Sequence, residues 1–361
     1  MRARAAVLTE FESPFHVGEV ELSGPGPGQL VVRMTAAPFC STDWMGWRAM
    51  RRKVPPVILG HTAVGVVGSV GAGVTDLAAG TRVLVAGTPQ CGECFYCGIG
   101  RPDQCSVLLE GGDPVVGALP DGRPVRAAGR VGAYAEHLLV DRIQVHRLPD
   151  ELGDEVACLL GCGISTALGA VFTIAEVQPG QSVAVVGLGH LGLWAVQGAR
   201  LAGAGSIIAV DGHPARRALA GRLGATALVD AFRGDPVEHV RALTEGRGAD
   251  VVIEAAGPAL ATRQAVEMAR RAGTVVLAGV AHSATEVPLP QLQLTVHGKR
   301  LLGCQNGQMT PDVDLPRWMA LLASGELDPT PFLGRDYRLD EIDTVARRSL
   351  ALDDLTGVLH P

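Results

Sequence analysis

The spacing of apolar residues divides the chain into two kinds of text. Up to residue 150, short β-branched runs at 28–37, 62–70 and 81–85 stand between glycines and prolines and predict strands. Residues 111–132, rich in Gly, Pro and charge, predict a long surface loop. From residue 182 the pattern changes. Apolar runs at 183–186, 207–210, 227–229, 251–254 and 274–278 alternate with segments of helical spacing, such as 191–202 and 259–271. That alternation predicts βαβ units and a parallel sheet covered on both faces. After residue 303 the text is mixed again, with helices expected at 318–322 and 339–350. The expected organisation is therefore α/β in two domains. Residues 1–163 and 304–361 form the first, and residues 164–303 form a sheet domain inserted into it.

Bulk properties narrow the function. A chain of 361 residues with 47% hydrophobic residues can fill two cores. A net charge of −6 argues against a nucleic-acid or anionic-membrane surface. No apolar run approaches the ~18 residues of a membrane span, and the N-terminus lacks the apolar stretch of a signal peptide. A cytoplasmic protein is expected. Lys53 and Lys299 are the only lysines among 31 basic residues. The run Arg51-Arg52-Lys53 reads either as a solvated charged loop or as a greeting for an anionic substrate.

Eight cysteines carry most of the candidate chemistry. Cys91, Cys94, Cys97 and Cys105 fall within a segment, 91–105, whose Cys-x₂-Cys spacing lets one turn present two sulfurs to one ion. Disulfides between such close neighbours would strain the bond geometry. Four thiolates close a tetrahedral zinc site and leave no position for substrate, so this zinc is structural.

The second motif is Gly187-Leu188-Gly189-His190-Leu191-Gly192, after one predicted strand and at the start of a helix. In that context the glycines predict a dinucleotide site. Gly187 permits the turn, Gly189 lets a pyrophosphate approach the backbone, and Gly192 allows close helix–strand packing. Asp211 ends the next strand, where its carboxylate accepts from ribose hydroxyls and repels a 2′-phosphate. NAD is thus expected over NADP, with Arg216 and Arg217 softening the preference.

Cys40, His61 and Cys162 remain, beside Cys158 and Cys304. Taken singly, each cysteine is as readily a small buried hydrophobe, and a lone histidine is usually structural. Taken together, five features stand in a familiar order: Cys40-Ser41-Thr42-Asp43, Gly60-His61, the four-cysteine lobe, Gly161-Cys162-Gly163, and the glycine motif ending at Asp211. In these the chain resembles the zinc-containing medium-chain alcohol dehydrogenase family over nearly its whole length.

The resemblance implies a GroES-like β-barrel catalytic domain split around a Rossmann domain, with the active site in the cleft between them. It implies a second, catalytic zinc held by Cys40, His61 and Cys162, with Asp43 orienting the histidine and Thr42 exchanging a proton with the substrate alcohol. Arg216 would stand beside the adenosine ribose, and Thr166 and Leu191 would flank the nicotinamide. A homodimer or homotetramer, built through the sheet edge near residues 274–280, is implied as well.

Two positions depart from the family pattern. Thr62 follows the zinc histidine where a glutamate is usual, and Met45 stands where some members carry a histidine. These departures keep open an NAD(P)H-dependent ene-reductase. A fold that binds cofactor without turnover is a third reading. Trp44, Trp47 and a roomy Gly87 are candidates for the substrate pocket, and Cys158 and Cys304 read as packing residues.

Overall fold

The computed structural model describes residues 1–50, 53–351 and 353–361. Arg51 and Arg52 lie outside the described residues. The chain divides into two compact units. The first comprises Met1–Cys162, Thr310–Gly325 and Pro329–Pro361, and the second Gly163–Met309 with Glu326–Asp328.

The first unit opens with β1 (Arg2–Leu8), β2 (His16–Leu22), β3 (Gln29–Pro38), β4 (Val57–Ile58), β5 (Thr62–Val70) and β6 (Arg82–Ala86). It continues with β7 (Val115–Ala118), β8 (Pro124–Ala127), β9 (His137–Asp141) and β10 (Val145–Arg147). Strands β1, β2, β7, β8 and β4 close into a barrel. Closure pairs every strand and leaves no edge to aggregate. Alternation explains how the strands bury one face: Leu30, Val32 and Met34 of β3 and Val20 and Leu22 of β2 enter a shared core with Leu59, Tyr134 and Leu138.

The expected surface loop at 111–132 is corrected by this arrangement. Its residues form the antiparallel hairpin β7–β8, with Val116, Val125 and Ala127 buried in the barrel core. Of the glycines and charges that suggested a loop, Asp121, Gly122 and Arg123 lie in the turn, Gly117 and Arg126 sit within the strands, and the rest flank the hairpin. Lys53 is also accounted for, since its ammonium lies 2.8 Å from the Asp113 carboxylate.

The second unit is a six-stranded parallel sheet built from β11 (Ser182–Val186), β12 (Ser206–Asp211), β13 (Ala227–Asp230), β14 (Ala249–Glu254), β15 (Ala269–Leu277) and β16 (Arg300–Gly303). Their order is β13-β12-β11-β14-β15-β16, a doubly wound arrangement that reverses direction at β11. The central strands β11 and β14 are apolar on both faces because helices cover both. The helices include His190–Leu201, Pro214–Leu223, Pro236–Ala242 and Ala259–Met268. The helical spacing read to residue 271 stops at Met268, where the chain turns directly into β15.

The last segment supplies the helices Pro311–Ala323 and Ile342–Leu350 and the strands β17 (Asp336–Arg338) and β18 (Val358–His360). Strand β18 pairs antiparallel with β3, so the C-terminus is sewn into the sheet of the first unit. Among the described residues, no single helix is long and apolar enough to cross a membrane. Ile253 lies in the central strand β14 with no exposed surface. Ile253→Ala should therefore cost about 2–5 kcal/mol, read as a lowered urea midpoint for the second unit by near-ultraviolet and far-ultraviolet circular dichroism.

Candidate metal and coenzyme sites

Cys40, His61 and Cys162 come from three separate stretches of the first unit, and their ligand atoms lie within 4.8 Å of one another. Cys40 ends the extended chain after β3 and is the N-cap residue of the helix Ser41–Trp47. That helix turns Thr42 and Asp43 back toward it. The Thr42 hydroxyl donates to the Cys40 sulfur at 3.2 Å. Asp43 is buried, and its Oδ1 accepts from the Gly60 N–H at 3.0 Å and stands 3.2 Å from His61 Nδ1. Its Oδ2 accepts from the Tyr134 hydroxyl at 2.8 Å.

With Nδ1 committed to Asp43, His61 offers Nε2 outward, which fixes ring orientation and raises basicity. Burial opposes a charged imidazole, but Asp43 and Cys40 outweigh it and push the His61 pKa up to about 10. The Cys162 thiol holds Cys40 well below the ordinary thiol range, against its burial, with His61 and Thr42 assisting. Two sulfurs and one nitrogen converging on one point, with the histidine already braced, fit a zinc ion with an open fourth position.

Tyr134 was not anticipated from the sequence. Its signal was present: one of three tyrosines, set among Gly132, Ala133 and Ala135, is a polar ring in an apolar run that must find a partner. Thr62 is buried, its hydroxyl donating to the Cys158 carbonyl at 3.3 Å, which ties β5 to the segment ending at Cys162. The Cys158 sulfur donates to the Glu155 carbonyl at 3.2 Å, and Cys158 is absent from the converging trio.

Gly87 does not leave room for a bulky group. A Cβ there would lie 2.6 Å from the His61 carbonyl oxygen, so the glycine permits close passage of the chain behind the histidine. Trp44 and Trp47 stack on each other at 4.3 Å and pack against the barrel core, with the Trp47 Nε1–H donating to the Ser13 carbonyl. Met45 is buried.

The sulfurs of Cys91, Cys94, Cys97 and Cys105 also lie within 4.8 Å of one another, and all eight cysteines are free thiols. Four sulfurs at ~2.3 Å from one ion stand about 3.8 Å apart; those of Cys91 and Cys97 are 4.0 Å apart. Backbone N–H groups already point at sulfur, from Cys94 to Cys91 and from Cys91 to Cys105, each at 3.4 Å. The backbone N–H groups of Cys97 and Ser106 lower the Cys94 pKa to about 6. A two-pronged Arg101–Asp103 ion pair, both contacts 2.8 Å, braces the chain between Cys97 and Cys105. The donor set fits a closed zinc site.

In the second unit, Gly187 follows β11 with φ of +88°, and a Cβ there would lie 2.7 Å from that of Ala256. A Cβ on Gly192 would lie 1.8 Å from the Gly187 carbonyl oxygen. A Cβ on Gly189, by contrast, would meet only the Arg216 guanidinium within 4 Å among the described residues beyond its chain neighbours, which leaves an open approach. His190 and Leu191 begin the helix His190–Leu201, whose first turn no side chain caps. Its N–H groups and positive dipole end suit a pyrophosphate. The His190 ring stands edge-on to Trp194 at 6.3 Å.

Asp211 Oδ2 accepts from the Leu188 N–H and Oδ1 from the His213 N–H, each at 2.7 Å. Its carboxylate is thus fixed beside the glycine turn, with lone pairs left for hydroxyl donors. Burial lowers the Arg216 pKa while Asp211 pulls it up. Arg217 is occupied, donating to the Asp211 carbonyl and to the Asp230 carboxylate. The Thr166 hydroxyl donates to Asn306 Oδ1 at 3.2 Å. The Cys304 thiol donates to the Thr166 carbonyl.

Comparison with known proteins agrees with this chemistry. Residues 26–150 match the family model of the alcohol dehydrogenase GroES-like domain, and residues 191–324 that of the zinc-binding dehydrogenase. S-(hydroxymethyl)glutathione dehydrogenase of Synechocystis sp. is 35% identical over 355 residues, covering 95% of each chain. Among solved structures, benzyl alcohol dehydrogenase from Acinetobacter calcoaceticus superposes with a TM-score of 0.92 at 27% identity, covering 100% of this chain and 99% of that one. A zinc-binding dehydrogenase of Sinorhizobium meliloti, bound to NADP, gives a TM-score of 0.83 at 30% identity, covering 100% of both.

Removing the carboxylate charge behind His61 tests the brace without reference to turnover. Asp43→Asn should weaken cobalt(II) or zinc affinity at the Cys40 site by about 10–100-fold, measured by chelator competition. The four-cysteine lobe should keep its metal in the same titration. Tyr134→Phe, which removes one donor to Asp43, should produce a smaller loss in the same direction.

Proposed function

The chain belongs to the zinc-containing medium-chain alcohol dehydrogenase family, and on that footing we propose that it interconverts a primary alcohol and its aldehyde with NAD(H). The observation that carries this reading is the convergence of Cys40, His61 and Cys162 on one point, with buried Asp43 bracing the histidine. The restriction to primary alcohols is supported by two relatives whose names state a substrate. Both S-(hydroxymethyl)glutathione and benzyl alcohol carry a hydroxymethyl carbon.

In this reading Cys40, His61 and Cys162 hold the catalytic zinc, and Cys91, Cys94, Cys97 and Cys105 hold a structural one. When bound, the zinc supplies Lewis acidity to the substrate oxygen and the nicotinamide supplies the hydride acceptor. The chain's own residues do the rest. Asp43 keeps His61 in one tautomer and orientation. The Thr42 Oγ1, placed beside Cys40, accepts the alcohol proton as its own hydroxyl proton leaves to solvent, so the side chain stays neutral. The first turn of the helix His190–Leu201 receives the pyrophosphate, and Asp211 binds the ribose hydroxyls and disfavours a 2′-phosphate.

The same reading assigns catalysis to the first unit and coenzyme binding to the second. It includes a homodimer or homotetramer, supported by the exposed apolar side chains Val280, Leu292 and Val296 of the second unit. A cytoplasmic location suits eight cysteines kept as thiols.

Three measurements test it. With NAD, a panel of primary alcohols, benzyl alcohol included, should be oxidised with higher kcat/KM than matched secondary alcohols; equal or inverted rates would remove the primary-alcohol reading. Thr42→Ala should lower kcat by about 10²–10⁴-fold while the KM for NAD holds. Asp211→Gly should raise the NADP/NAD ratio of kcat/KM, and an unchanged ratio would take Asp211 out of the ribose site.

A further inference from the structure

Three aromatic rings other than histidine lie between Gly163 and Met309: Phe172, Trp194 and Phe232. Trp194 is fully buried and Phe172 half-buried, whereas Phe232 is 87% exposed. An isolated exposed phenylalanine is ordinary on a protein surface. This one differs in where it rests and in how firmly it is held.

The ring lies against Gly212, the residue directly after Asp211. A Cβ on Gly212 would fall 2.0 Å from Cε2 and 2.4 Å from Cδ2 of Phe232. The absent side chain at 212 is therefore what lets the ring reach the end of β12. The backbone beneath the ring is pinned from several directions. The Phe232 N–H donates to Asp230 Oδ1 at 3.0 Å, and the Ala231 N–H donates to the Asp211 carbonyl at 3.2 Å. Asp230 Oδ2 is held in turn by the Arg217 guanidinium at 2.8 Å, and that same guanidinium grips the Asp211 carbonyl. A well-anchored turn thus presents a largely bare aromatic ring beside the carboxylate assigned to the ribose.

We propose that Phe232 is the platform for the adenine of the coenzyme, taking the place of a side chain at position 212. The argument rests on the coenzyme reading above. Once Asp211 holds the ribose hydroxyls, the base on the same sugar must lie within a few ångströms of the end of β12. Every base has a π-face, and a fixed aromatic ring is a sequence-tolerant surface for it. Stacking would cover the ring that folding leaves bare. The neighbouring Arg216, near Gly189, would then face the phosphate side of the adenosine rather than its base.

The test uses the whole protein with two probes, NADH and ADP-ribose, the second carrying adenine but no nicotinamide. Phe232→Ala should weaken both by about tenfold, by isothermal titration, with the thermal midpoint unmoved because the ring is exposed. Phe232→Trp should restore both. Unchanged affinity for both probes, or a loss for NADH with none for ADP-ribose, would overturn the proposal while leaving the coenzyme reading intact. Failure of the unaltered protein to bind NADH at all would remove the coenzyme reading, and the adenine platform with it.

Discussion

A single buried carboxylate organises the first unit. Asp43 accepts from the Gly60 N–H, from the Tyr134 hydroxyl and from His61 Nδ1, so three segments far apart in sequence are fastened to one side chain. A buried carboxylate is costly unless its lone pairs are filled, and each of these donors lowers that cost. The consequence reaches beyond stability. The helix Ser41–Trp47 that carries Asp43 begins at Cys40, and the Gly60 N–H fixes the chain immediately before His61. Satisfying the carboxylate therefore places a thiol and an imidazole within ligating distance of the same point.

The third ligand arrives by a different route. Thr62, buried just after His61, donates to the Cys158 carbonyl and so ties β5 to the turn that ends at Cys162. A usual glutamate at this position would bring charge close to the metal; the threonine brings a neutral tether. The departure from the family pattern leaves Cys40, His61 and Cys162 converged, which is why an alcohol rather than a conjugated C=C bond is the favoured substrate class.

Much of this was legible in the chain because the informative residues are local. The strand at 183–186, the glycine motif and Asp211 lie within one βαβ unit, where period and spacing carry the whole signal. The four-cysteine lobe is local too. Other features depend on what packs against what. The hairpin β7–β8 was hidden because its turn and flanks are rich in Gly, Pro and charge, while its buried residues are few and spaced by the pleat. Tyr134 lies 91 positions from Asp43 in sequence, so nothing near either residue announces their hydrogen bond. Gly87 invited the idea of an open pocket, yet the His61 backbone fills that space. Phe232 follows the end of β13, and nothing near it in sequence announces that its ring rests on Gly212.

The central claim is that one chain holds two zinc ions in two chemically distinct sites, and that the three-ligand site is the reactive one. The most direct measurement is zinc per polypeptide by elemental analysis, on protein purified without chelator. The account predicts two equivalents, one of them exchanging readily with cobalt(II) to give the visible absorption bands of a two-thiolate site. A single equivalent, retained by the four-cysteine lobe with no metal at Cys40, His61 and Cys162, would contradict it.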